Sequence, residues 1–134
     1  MDVSVNYLSV LVAAVASFLV GGAWYSKTLF AKPWMKSLNL SAGVPDSSMS
    51  KTMGGQFVSL LVTAYVLAHF VHYVGAMTVS AGIQLGFWIW LGFVATVLMT
   101  GVLFERKNKT WFLITSGYQL LSLVVMAAIL AVWK

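Results

Sequence analysis

Ser80 to Phe104, SAGIQLGFWIWLGFVATVLMTGVLF, holds no Asp, Glu, Lys or Arg and runs straight into Glu105-Arg106-Lys107. Crossing the ~30 Å hydrocarbon core of a bilayer as a helix takes roughly 20 apolar residues at ~1.5 Å each, and this stretch is longer. Three further stretches read the same way, at about 3–25, 54–74 and 111–133. Four crossings put the termini on one side of the membrane with the 75–79 connection, and put the segments 26–53 and 105–110 on the other.

The charges select the direction. Lys27, Lys32, Lys36 and Lys51 lie in the first of those segments, and Arg106, Lys107 and Lys109 in the second; Lys134 is the one other basic residue. Lys and Arg close to span ends resist translocation, so both segments are expected in the cytoplasm and both termini outside. The chain is 60% hydrophobic and 8% charged, far below the roughly one quarter charged residues of soluble domains. Its 134 residues suit a single transmembrane domain, 1–134. The net charge of +5 is explained by topology and anionic headgroups, so the expected partner is the lipid bilayer and not nucleic acid. With no cysteine there is no disulfide, thiol nucleophile or thiolate metal site. Small residues at Ala13-Ala14-Val15-Ala16-Ser17 resemble a cleavage site, but Asp2 and the lack of Lys or Arg before them deny a signal peptide its basic start. The first stretch is therefore expected to stay as a span.

The fold predicted is an all-α membrane protein, an antiparallel bundle of four transmembrane helices. The 75–79 connection is short and uncharged, which predicts a tight hairpin of spans two and three. Span two is expected to begin as early as Ser47 or Ser48, either of which can cap a helix. Between spans one and two, Phe30, Trp34 and Leu38 recur every four positions from Thr28 to Leu40, with Lys32 and Lys36 on other faces. That pattern predicts a short interfacial amphipathic helix. Pro33 fits its first turn, and Asn39–Ser50 reads as a turn-rich return.

Polar residues in the spans are few. His69 and His72 share a face, with Tyr65 and Tyr73 four residues to either side of His69. Gln84 and Asn6 are expected at a similar depth, giving a candidate polar cluster on the outer side. Tyr118 and Gln119, with Thr96 and Thr100, supply hydrogen-bonding groups farther in. Paired imidazoles suit metal, haem or proton relay, while His and Tyr near an interface also serve as anchors and interhelical partners. No Asp, Glu, Lys or Arg lies within a span, which disfavours carboxylate-centred coupling to protons or cations. Small residues recur every four positions at Ala13, Ser17 and Gly21, at Gly55, Ser59 and Thr63, and at Gly82 and Gly86. Such faces allow close helix approach, within the chain or in a homo-oligomer.

The chain also resembles a bacterial family of small membrane proteins, domain of unknown function 1761. The resemblance rests on Gly21-Gly22-Ala23-Trp24-Tyr25-Ser26, Leu29-Phe30, Lys32-Pro33-Trp34-Met35, Ala64-Tyr65-Val66-Leu67-Ala68-His69, and Trp90-Leu91-Gly92-Phe93. Phe104-Glu105-Arg106, Gly117-Tyr118-Gln119-Leu120 and Ile129-Leu130-Ala131-Val132-Trp133 complete it. It implies a four-helix domain of this length in the bacterial inner membrane and brings no activity, substrate or catalytic residue. It does give weight to a cytoplasmic interface motif of Trp24, Tyr25, Lys32, Trp34, Glu105 and Arg106.

The leading expectation is a non-enzymatic integral membrane protein, a self-associating structural or partner-binding bundle without a cofactor. A small-solute or ion transporter or channel, with a pathway near His69, Gln84 and Gln119, is the alternative. Metal or haem binding through His69 and His72 is the third reading. No nucleophile–base pair, acidic pair or phosphate loop points to an enzyme.

Overall fold

The computed structural model describes residues 3–26, 33 and 46–133. They form four long helices: α1, Tyr7–Trp24; α2, Asp46–Val74; α3, Val79–Phe104; and α4, Lys109–Val132. All four are long and apolar enough to cross a membrane. The amphipathic stretch 28–40, with Lys32 and Trp34, lies outside the described residues except for Pro33.

The helix starts follow from side-chain caps. The Asn6 side-chain oxygen Oδ1 accepts from the amides of Leu8 (3.1 Å) and Ser9 (3.3 Å), so α1 begins at Tyr7, four residues later than the apolar pattern. Thr78 caps α3 through the Ala81 amide at 3.1 Å, and Asn108 caps α4 through the Thr110 amide at 2.7 Å. Span two differs from expectation: the helix already includes Ser47 and Ser48, so neither occupies the cap position.

α4 is the hub. It packs on α1, α2 and α3, and 44% of its most apolar window is buried, against 11% for α3. The core joins Ala13 and Ala14 of α1, Leu60, Ala64, Leu67, Ala68 and Val71 of α2, and Leu123, Met126, Ala127, Leu130 and Ala131 of α4. Phe18 and Phe57 meet edge-on at 5.7 Å, tying α1 to α2. Burial of these side chains does not by itself draw helices together in lipid, where tails are as apolar as Leu; close packing does. The abundance of alanine here permits that closeness.

The expected hairpin of spans two and three is present in sequence but not in packing. Gly75 turns the chain with φ +68°, yet α2 and α3 barely touch each other. α3 leaves α2 to lie on α4, because Gly82 and Gly86 let it approach α4 backbone to backbone. A Cβ on Gly82 would sit 2.6 Å from the Ala127 carbonyl oxygen, and one on Gly86 would sit 2.9 Å from that of Leu123. No side chain fits there.

α3 is not uniformly α-helical. Leu91–Ala95 form a π-helical turn between α-helical Val79–Trp90 and Thr96–Phe104. From Gly82 to Gly101 an unbroken α-helix would overshoot a whole number of turns by about a quarter turn. The extra residue of a π-turn absorbs that overshoot. Gly101 consequently returns to the α4 side, where the Trp111 ring lies 3.2 Å from the position a Cβ would take.

This packing makes a graded prediction. Gly82→Ala and Gly86→Ala should each destabilise the protein by about 1–3 kcal/mol through overpacking. Gly92→Ala, where a Cβ meets nothing within 4 Å, should change stability by less than either. Thermal melts of the detergent-solubilised protein, followed by circular dichroism, rank the three.

Candidate functional site

The polar groups that meet inside the bundle belong to α1 and α4. Ser17 and Ser122 are buried and hydrogen-bond through their hydroxyls. The Tyr118 hydroxyl donates to the Ser17 carbonyl at 3.2 Å and lies 3.4 Å from the Ser17 hydroxyl. Its ring covers Gly21, where a Cβ would stand 3.0–3.1 Å from ring and hydroxyl atoms, and meets Tyr25 edge-on at 5.5 Å. The small-residue face Ala13-Ser17-Gly21 thus serves packing within the chain. An unpaired hydroxyl in a dry interior is costly, so the network favours one register of α1 on α4.

Two tryptophans hold α4 just below this network. Trp24 of α1 donates its indole N–H to the Ile114 carbonyl at 2.9 Å, and Trp90 of α3 donates to the Ser116 carbonyl at 2.8 Å. Gly117 makes room for the first, since a Cβ there would lie 2.9 Å from Trp24 Cζ2. The acceptors are backbone carbonyls, which α4 presents whatever its side chains are. Only the donors and the clearance are encoded in the sequence.

The turn from α3 to α4 is built with similar economy. Arg106 takes a left-handed conformation, φ +55°, and the Lys107 amide reaches back to the Gly101 carbonyl at 3.1 Å. The Lys107 ammonium lies 3.8 Å from the Glu105 carboxylate and 4.4 Å from the centre of the Trp111 ring. This is a cation–π contact set at the edge of the apolar zone. Glu105 and Arg106 therefore shape the turn.

The polar positions expected on the outer side are not drawn to one centre. Asn6 caps its own helix. The His69 imidazole donates from Nδ1 to the Tyr65 carbonyl at 2.9 Å, and Gln84 donates its amide to the Ser80 hydroxyl at 3.3 Å. His69 and His72 ride on α2 and Gln84 on α3, the two helices that scarcely touch. Gln119 is half-buried on α4, one residue from Tyr118. An apolar groove of about 760 Å³ runs between α3 and α4, bordered by Trp24, Phe87, Trp88, Gly117 and Gln84. Among His69, Gln84 and Gln119, Gln84 alone borders it. Among the described residues no three His, Cys, Asp or Glu gather as a metal site. Of the interface motif, Trp24, Tyr25, Glu105 and Arg106 are placed as above, while Lys32 and Trp34 lie outside the described residues.

Sequence reasoning missed Ser122, Trp90 and Trp111, and saw Ser17 only as a small residue. One signal was available for Ser122, which stands one helical turn beyond Tyr118 and so on its face.

A double-mutant cycle tests the seam. Ser17→Ala and Tyr118→Phe should show a coupling of about 0.5–2 kcal/mol in unfolding free energy, the range for interhelical hydrogen bonds in membranes. Additive effects would mean the hydroxyls do not bond. At the turn, Arg106→Gly should raise stability, by up to about 1 kcal/mol, because glycine adopts this φ without strain. The same melts measure it.

A family model described as a protein of unknown function (DUF1761) matches residues 8–131, nearly the whole chain. No curated protein and no solved structure matches it. The matched segment contains the contacts of α1, α2 and α3 with α4 described above, from Ala13 to Ala131, and on that match the chain belongs to the DUF1761 family.

Proposed function

We propose that this protein is a non-enzymatic membrane scaffold: an antiparallel four-helix bundle of the bacterial inner membrane that self-associates and presents its basic end to the cytoplasm. The observation that carries the reading is how the polar groups within the bundle are used. Tyr118, Ser17, Ser122, Trp24 and Trp90 all bond one helix to another. Groups committed in this way set helix register and do not line a route for solute.

Antiparallel packing is supported by the order of contacts. Gly82, Gly86 and Trp90 meet Ala127, Leu123 and Ser116 in turn, so positions rise along α3 as they fall along α4. Orientation is supported by charge, since Lys51, Arg106, Lys107 and Lys109 fall at the chain's basic ends of the spans. Self-association is supported by how little of α3 the chain covers for itself. Phe93 is 75% exposed, and Trp88, Val97 and Leu103 are also exposed on this helix. Such a surface meets either lipid or another helix, and the open Gly92 and Thr96 on it allow close approach.

The cysteine-free chain suits single-cysteine labelling. Met77→Cys should react with a membrane-impermeant maleimide in intact cells, and Lys109→Cys only after permeabilisation. The reverse pattern would refute the orientation. Sedimentation in detergent should give the mass of at least two chains; monomer alone would refute self-association.

A further inference from the structure

The helix α2 carries one feature that neither the bundle nor its scaffold role uses. His69 and His72 stand three residues apart, which puts their Cβ atoms about 5–6 Å from each other on successive turns. A carbonyl can only accept, so the 2.9 Å contact from His69 Nδ1 to the Tyr65 carbonyl fixes the proton on Nδ1. In the neutral ring, Nε2 then holds the free lone pair. This is the arrangement by which metal-binding imidazoles are oriented, with the second ring nitrogen donating to a backbone carbonyl.

The ring is also held in place. Tyr65 meets it at 4.8 Å and Tyr73 at 6.2 Å, both edge-on, while Tyr7 of α1 stacks on Tyr65 at 6.4 Å. His72 is half-buried and one turn nearer the end of α2. A donor set made of imidazole alone suits zinc, copper or nickel, and does not suit the hard, oxygen-seeking magnesium or calcium.

We propose that His69 and His72 form a two-imidazole site for a divalent transition-metal ion of the zinc–copper–nickel group, entered through His69 Nε2. One chain supplies two protein ligands, and water or the same pair on a second copy completes a four-coordinate ion. The site does not depend on the scaffold reading or on membrane orientation.

The test uses the full chain in detergent, purified without a polyhistidine tag. Equilibrium dialysis against zinc chloride should show binding that His69→Ala and His72→Ala each weaken by roughly tenfold or more. With copper(II) chloride, the nitrogen hyperfine pattern in electron paramagnetic resonance should report at least two imidazole nitrogens, and fewer in either variant. Gln variants at both positions, checked for helix content by circular dichroism, separate loss of ligand from loss of fold. Binding no stronger than that of the folded His69/His72 double variant, or a copper spectrum unchanged by either substitution, would overturn the proposal. Sedimentation in zinc-free buffer reads the scaffold hypothesis separately, so either can fail alone.

Discussion

Inside a bilayer there is no hydrophobic force to press one apolar helix against another, so this bundle depends on how near its backbones can come. The decisive approach is that of α3 to α4 at Gly82 and Gly86, where a single methyl would collide with the carbonyls of Ala127 and Leu123. From this contact follows the placement of α3 on α4 and not on its chain neighbour α2. Alanines perform the same service between α1, α2 and α4 in the half of the bundle nearest Val71 and Ala131. Dispersion contacts between closely packed surfaces, summed over many atoms, then supply the attraction.

Close approach sets which helices touch, whereas the hydrogen bonds set how they are rotated. Ser17, Tyr118 and Ser122 favour one rotation of α1 on α4, the one in which their hydroxyls bond across the buried seam. The two indole N–H groups act at the Ile114 and Ser116 carbonyls, from α1 and from α3. α4 is thereby fixed from two neighbours within one helical turn. Trp24-Tyr25, one of the segments on which the resemblance to the family rests, belongs to this arrangement through the Trp24 indole bond and the Tyr25–Tyr118 ring contact.

The spans are legible because length, absence of charge and basic flanks are one-dimensional properties, and all four appear as helices long and apolar enough to cross a membrane. Which helix sits at the centre was not legible. A soluble helix reveals its buried face by polar residues on the other, but here exposed Leu113 and Leu121 look no different in the sequence from buried Leu123 and Leu130. The short 75–79 connection predicts a pairing of α2 with α3 that does not occur, since connection length limits distance only at the helix ends. The bonds that Trp24, Trp90 and Tyr118 make are not legible, because their partners are backbone carbonyls or small hydroxyls that carry no sequence signature. His69 and Gln84 were placed at one depth, which says nothing of whether their helices are neighbours.

The π-turn shows how a local irregularity can be required by a distant pair of residues. Three glycines of α3 must face α4: Gly82 and Gly86 for the backbone contact, and Gly101 for the Trp111 ring. An ideal α-helix brings the first two into line and leaves the third about a quarter turn away. One inserted residue at Leu91–Ala95 corrects the phase without breaking the hydrogen-bonded rod, which in lipid is the one kind of defect that leaves few polar groups unpaired. The correction lies directly after Trp90, whose indole is bonded to α4, so the helix is anchored above the irregularity and again below it at Gly101. An α3 with strict 3.6-residue periodicity would keep one anchor only by giving up the other. The irregularity is therefore the condition under which both ends of α3 can be held by the same helix.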